Sequence, residues 1–118
     1  MMQAIAMNQL QNIALQAQHL QCVCDILHRV IQASHTSASE QQSLQAWVFG
    51  SRATGHARPY SDLDILISSP KQLDWQTRVD LTDAFEASAL PFRVDVVEEA
   101  HLAPGIAPRV MAERIRLI

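Results

Sequence analysis

FGSRATGHARPYSDLDILI, residues 49–67, is the stretch that decides the fold. It holds two of the chain's three glycines, Gly50 and Gly55, and ends in two aspartates at the mouth of an apolar run. LQAWVF, 44–49, reads as a short apolar strand ending at Gly50. Residues 51–57 then form a turn or a short helix, and LDILI, 63–67, reads as a second strand. Being apolar on both faces, that strand belongs in the middle of a sheet. Gly50 has no side chain, so a ligand can approach the backbone closely there. A helix beginning at Ser51 would turn free N–H groups toward that ligand, an arrangement suited to phosphate, and the Ser51 hydroxyl adds a donor. A Gly-Ser pair alone is equally an ordinary turn.

Asp62 and Asp64 add chemistry. Residues i and i+2 of a strand share a face. Two carboxylates side by side on an apolar strand repel each other and lose hydration. Mg²⁺ bound between them removes that cost, since it prefers oxygen ligands and completes its shell with water and substrate phosphates. The plainer alternative makes Asp62 a turn or cap residue and leaves only Asp64 on the strand. Asp95 lies mid-strand in FRVDVV, 92–97, which alternates cleanly. If that strand lies beside 63–67, the three carboxylates converge. Asp95 would then complete a second metal site and accept a proton from an attacking hydroxyl. Otherwise it is an exposed edge-strand acid, or the partner of Arg93 or Arg78.

Outward from this stretch, residues 4 to about 34 read as one helix, with Leu10, Ile13, Ala14, Ala17, Leu20, Cys24, Leu27 and Ile31 at three- and four-residue steps. Its other face is rich in Gln and nearly uncharged, either an exposed helix or a surface that meets another chain. SHTSASEQQS, 34–43, reads as a polar connector. A helix over 73–88 buries Val79, Leu81, Ala84, Phe85 and Ala89, and Pro91 follows it. Residues 98–105 read as a loop, 106–114 as a final helix, and IRLI as a short edge strand.

Length and composition set the limits. With 118 residues the chain makes one domain. A net charge of −3 and 5% aromatics argue against a protein that grips nucleic acid by itself. Arginine supplies eight of the nine basic residues, Lys71 being the exception. This is either compositional bias or a supply of bidentate phosphate ligands. Cys22 and Cys24 are too close for an ordinary disulfide and point about 200° apart on a helix, so a reducing, cytoplasmic setting is expected. Neither a signal peptide nor a membrane span is expected.

Gly50-Ser51, ten intervening residues, then Asp62-x-Asp64 resembles the signature of the nucleotidyltransferase superfamily that includes DNA polymerase β. GSRATGHARPYSDLD, in particular, resembles the minimal nucleotidyltransferase (MNT) proteins, which are commonly encoded beside an all-helical HEPN partner. The resemblance covers about residues 44–118, with Asp95 at the place of the family's third acid. It implies an α/β (α+β), palm-like fold, a small mixed sheet with helices packed on one side. Residues 1–43 would be an N-terminal helix and connector packed on a 44–118 nucleotidyltransferase core. It also implies roles. Gly50 and Ser51 would hold the triphosphate of ATP, with Arg52 either touching it or making a structural salt bridge. Asp62, Asp64 and Asp95 would be the catalytic and metal-binding set for Mg²⁺, two ions in all. Thr54 stands where many relatives have a second basic residue, which weakens the expected grip on phosphate but leaves the metal site intact. His56, Arg58 and Tyr60 are expected at the surface.

The activity implied is transfer of AMP from ATP to a hydroxyl, above all a tyrosine of a HEPN ribonuclease toxin, by a type VII-like antitoxin. The chain would work in a hetero-oligomer, or as a homodimer when alone. The alternatives are a small-molecule, aminoglycoside-type nucleotidyltransferase with a separate substrate-binding partner, and an antitoxin that masks its partner without catalysis. A nucleic-acid polymerase is disfavoured by acidity and size.

Overall fold

Apolar side chains on both faces of LDILI require cover on both sides, and the strand they form is internal. In the computed structural model, residues 12–34 and 37–118 are described. The elements in chain order are α1 (Ala17–Ala33), α2 (Ala38–Ser43), β1 (Gln45–Phe49), a single turn α3 (Ser51–Thr54), β2 (Leu63–Ser68), α4 (Trp75–Glu86), β3 (Val94–Glu98), a 3-10 turn (Glu99–His101), α5 (Ala107–Glu113) and β4 (Ile115–Arg116). The sheet order is β3-β2-β1-β4. β1 pairs antiparallel with both β2 and β4, while β2 and β3 are parallel, so the sheet is mixed. The parallel pair needs a crossover, and α4 provides it.

One face of the sheet carries the main core. Ala46 and Val48 of β1 and Leu63, Ile65 and Ile67 of β2 cluster with Val23 and Leu27 of α1 and Leu81 and Phe85 of α4. Alternation sends Asp64, Leu66 and Ser68 to the opposite face. Leu66 is fully buried there, and on neighbouring β1 the Trp47 ring lies 3.9 Å beneath the Arg114 guanidinium. The sheet therefore offers one oily face for folding and a second on which carboxylates can meet solvent.

Several sequence expectations shift. Residues 12–15 are turn and bend and Gln16 is an extended cap, not helix, because the Ala14 N–H donates to the Arg52 carbonyl at 2.8 Å and leaves the helical ladder. The expected helix over residues 4–11 lies outside the described residues. α1 buries Val23, Ile26, Leu27, Val30 and Ile31; of the expected stripe, Ile13, Leu27 and Ile31 are in the core and Leu20 and Cys24 pack half-buried against it, whereas Ala14 and Ala17 are exposed. The 34–43 connector holds a helix, α2, begun by Ser37, whose hydroxyl accepts from the Glu40 N–H at 3.3 Å. That is half of the reciprocal cap that a Ser-x-x-Glu spacing favours. α4 is shorter than expected: Asp74 caps it by accepting from the Thr77 N–H at 2.7 Å. Thr77 is buried, whereas Ala89 lies beyond the helix and is exposed. Glu98, expected in a loop, ends β3 and is buried. Its carboxylate accepts from the Leu73 N–H at 2.8 Å and meets Arg78 at 3.4 Å, tying the entrance of α4 to the end of β3. β4 is the expected edge strand, two residues long.

Candidate functional site

Strand register places the acidic residues. Across β1 and β2, Phe49 pairs with Asp64; across β2 and β3, Asp64 pairs with Asp95. Paired residues on adjacent strands face the same way, about 4.8 Å apart. The second strand's aspartate thus sits between the end of β1, where Gly50 begins, and the third strand's aspartate. Asp62 lies just before β2 and is exposed, Asp64 is half-buried, and Asp95 keeps about a third of its side-chain surface, 35%, exposed.

Gly50 has φ 75° and ψ −154°, a conformation open to glycine and strained for other residues. A Cβ there would run into Asp64 Oδ2. The glycine therefore lets the backbone turn out of β1 and lets a carboxylate lie directly against that turn. Ser51, half-buried, opens the one-turn helix α3, which Gly55 closes in the left-handed conformation at φ 81°. Nothing crowds Gly55, so its role is to turn the loop back toward Asp62.

The electrostatics are those of a site short of positive charge. Burial, followed by the charges of Asp95, Asp62 and Glu113, raises the Asp64 carboxyl above its ordinary range. The ion pair that Asp95 makes is with Arg93, at 2.9 Å on the surface. Such a set of oxygen donors fits a hard divalent cation such as Mg²⁺, which relieves the repulsion and repays the desolvation. Among the described residues no three Asp, Glu, His or Cys side chains already close around an ion-sized space. An ion here would take part of its shell from water and phosphate, as Mg²⁺ commonly does.

Arg52 lies elsewhere than the resemblance implies. It is buried, 5% exposed. Its guanidinium donates to Ser61 O through Nε (3.0 Å) and Nη2 (2.8 Å), to Pro59 O (3.1 Å) and to Ala14 O (2.6 Å). It also lies 4.3 Å over the Phe92 ring. Burial lowers its pKa, yet an arginine stays charged. With four hydrogen bonds to carbonyls it acts as a clasp that holds the 59–61 loop, the 12–16 segment and Phe92, two residues before β3, together, and so sets where Asp62 emerges. Arg52→Lys keeps the charge but loses the fork. We expect a cost of about 1–3 kcal/mol, seen as a lower urea midpoint.

His56, Arg58 and Tyr60 are exposed, as expected of loop residues. Cys22 and Cys24 are free and half-buried. Burial, and then Asp25, pushes the Cys24 thiol up, away from reactivity. Glu113 went unforeseen. Its Oε1 accepts from the Gly50 N–H at 3.0 Å, across 63 residues of sequence. No motif marks it, since only the fold brings the end of α5 to the β1 turn.

Comparison with known proteins agrees with this geometry. The family described as "Polymerase beta, Nucleotidyltransferase" matches residues 32–118. A solved structure assigned as a minimal nucleotidyltransferase is 32% identical, with a TM-score of 0.51, covering 78% of this chain and 93% of that one. A toxin–antitoxin crystal structure with AMP-PNP is 23% identical with a TM-score of 0.58, covering 80% of this chain and 72% of that one, and shares the fold. The probable protein adenylyltransferase MntA of Haemophilus influenzae is 50% identical over 54 residues, 46% of this chain. That match spans about half of the relative's length, 47%. No helix among the described residues is long and apolar enough to cross a membrane. A glycine turn packed on a strand aspartate, that aspartate paired with a second on a parallel strand, and a family match over most of the sequence lead to one conclusion: this chain belongs to the polymerase β-type nucleotidyltransferases, as a minimal nucleotidyltransferase.

Proposed function

We propose that the chain transfers AMP from ATP to a hydroxyl, with Mg²⁺, and that the hydroxyl belongs to a tyrosine of a HEPN toxin that the chain thereby inactivates. The pairing of Asp64 with Asp95, against the Gly50 turn, is the observation that carries this reading. The names of the relatives support it: an adenylyltransferase called MntA and toxin–antitoxin complexes, one with AMP-PNP.

In this mechanism Asp62, Asp64 and Asp95 would hold Mg²⁺, two ions in all, and the bound metal would supply positive charge against the triphosphate and the leaving group. The backbone at Gly50 and Ser51, with the Ser51 hydroxyl, orients the phosphates. Asp95 takes the proton of the acceptor hydroxyl as its oxygen bonds to the α-phosphorus. The bond from that phosphorus to the bridging oxygen breaks, and pyrophosphate leaves. Such chemistry needs positioning and charge neutralisation more than covalent help. Arg52 serves it from a distance, by fixing the loop that delivers Asp62.

The test is to incubate the chain with ATP, Mg²⁺ and the protein encoded beside it, then weigh the partner. A mass gain of whole AMP units on tyrosine is expected. A partner silenced without any mass gain, and silenced equally by Asp62→Asn/Asp64→Asn, would mean masking by binding. AMP on a small molecule and never on protein would mean the aminoglycoside-type activity.

A further inference from the structure

The Gly50 amide is a backbone donor on which the proposed phosphate site relies, and it already has an acceptor, Glu113 Oε1 at 3.0 Å. One N–H makes one good hydrogen bond. A carboxylate oxygen and a phosphate oxygen are the same kind of partner for it, anionic and charge-assisted. Glu113 is the last residue of α5. The chain just beyond is pinned, because Arg114 stacks on Trp47 at 3.9 Å and meets Glu99 at 3.5 Å. The helix end is held, so releasing the amide requires only the Glu113 side chain to turn away. Its charge is also felt at Asp64, alongside those of Asp95 and Asp62. An entering triphosphate therefore meets Glu113 twice, as a rival for the amide and as a like charge.

We propose that Glu113 is a resident anion that holds the Gly50 amide in the ligand-free protein and yields it to a phosphate oxygen, so that it sets nucleotide affinity and not the rate of transfer. This rests on the nucleotidyl-transfer reading above. Glu113 is then a positioning residue. It satisfies an amide at a turn whose φ is 75°, and it lowers affinity for nucleotide by the work needed to displace it.

Glu113→Gln keeps the length and an acceptor oxygen but drops the charge. Calorimetry on the full chain with Mg²⁺ and a non-hydrolysable ATP analogue is expected to show binding tighter by roughly three- to ten-fold, the size of one like-charge contact in a partly solvated site. KM for ATP should fall in the same proportion while kcat holds. Glu113→Ala should shift affinity the same way, which separates the effect from any peculiarity of the amide. A metal-ligand role predicts weaker binding of the analogue. A purely structural role predicts a lower melting temperature with unchanged affinity. Either result overturns the proposal. If the wild-type chain binds no analogue, the transferase reading fails and this inference with it. If the wild type binds and the Gln variant binds equally, only the role of Glu113 is lost.

Discussion

Asp64→Asn is expected to abolish AMP transfer while making the metal-free protein more stable. Both effects have one cause. The Asp64 carboxyl is raised above its ordinary value of 3.8, first by burial and then by Asp95, Asp62 and Glu113. A folded-state value above the unfolded one means that the folded protein holds the proton more tightly. Below 3.8 the group is protonated in both states and exacts no penalty. As pH rises from there to the raised folded value, the unfolded chain ionises first and stability falls. Above that window the whole penalty is present. At neutral pH the wild type carries it and the Asn variant does not. Melting temperatures in EDTA should therefore favour Asp64→Asn at pH 7, and the gap should shrink as pH falls toward 4. Mg²⁺ with nucleotide should stabilise the wild type and not the variant. Transfer should drop by roughly 10²–10³-fold or more, the scale of losing one electrostatic contact to a reacting phosphate. A variant less stable than wild type in EDTA at neutral pH contradicts this account of the site.

Gly50→Ala should damage folding and transfer together. The φ of 75° with ψ of −154° costs a non-glycine residue about 1–3 kcal/mol. The added methyl would also run into Asp64 Oδ2, so either the turn or the carboxylate must move. A displacement of about 1 Å in a reacting group can cost about 10²-fold in rate. We expect a lower urea midpoint and a loss of transfer approaching that of Asp64→Asn. Gly55→Ala is the control, because Gly55 also has positive φ but has open space around it. It should cost backbone strain and leave most of the activity. Equal losses of transfer from the two substitutions would mean that contact with Asp64 is not what Gly50 provides.

Much of this was legible in residues 44–97, for a physical reason. A strand that enters Gly-Ser, a pair of aspartates at i and i+2, and a third inside FRVDVV each break a local rule that a merely structural segment would obey. Breaches of that kind concentrate at functional sites. Apolar patterning then marks β1, β2, β3 and edge strand β4 close to where the sequence puts them, while their pairing depends on the α4 crossover and on the return of the chain's end to β1.

Arg52, Glu113 and Glu98 were not legible. Each acts through partners set by tertiary packing: Arg52 through the carbonyl of Ala14, 38 positions away, Glu113 through the amide of Gly50, and Glu98 through the amide of Leu73. The Arg in GSR invites a phosphate reading because arginine suits phosphate, yet burial among carbonyls takes it for the scaffold. Residues 12–16 escape the helix for a related reason, since the Arg52 clasp draws the backbone of Ala14 away. The short helix α2 was within reach, for Ser37-x-x-Glu40 is a capping pattern, hidden inside a stretch whose composition reads as a loop.

The most direct test of the central claim follows the label of ATP. The chain is incubated with the proposed HEPN partner, Mg²⁺ and ATP labelled at either the α- or the γ-phosphate. Covalent label is expected on the partner from α-labelled ATP and none from γ-labelled ATP, with one pyrophosphate released per AMP attached and no label with Asp64→Asn. Label arriving from the γ-phosphate, or α-label transferred equally well by Asp64→Asn, would contradict that claim.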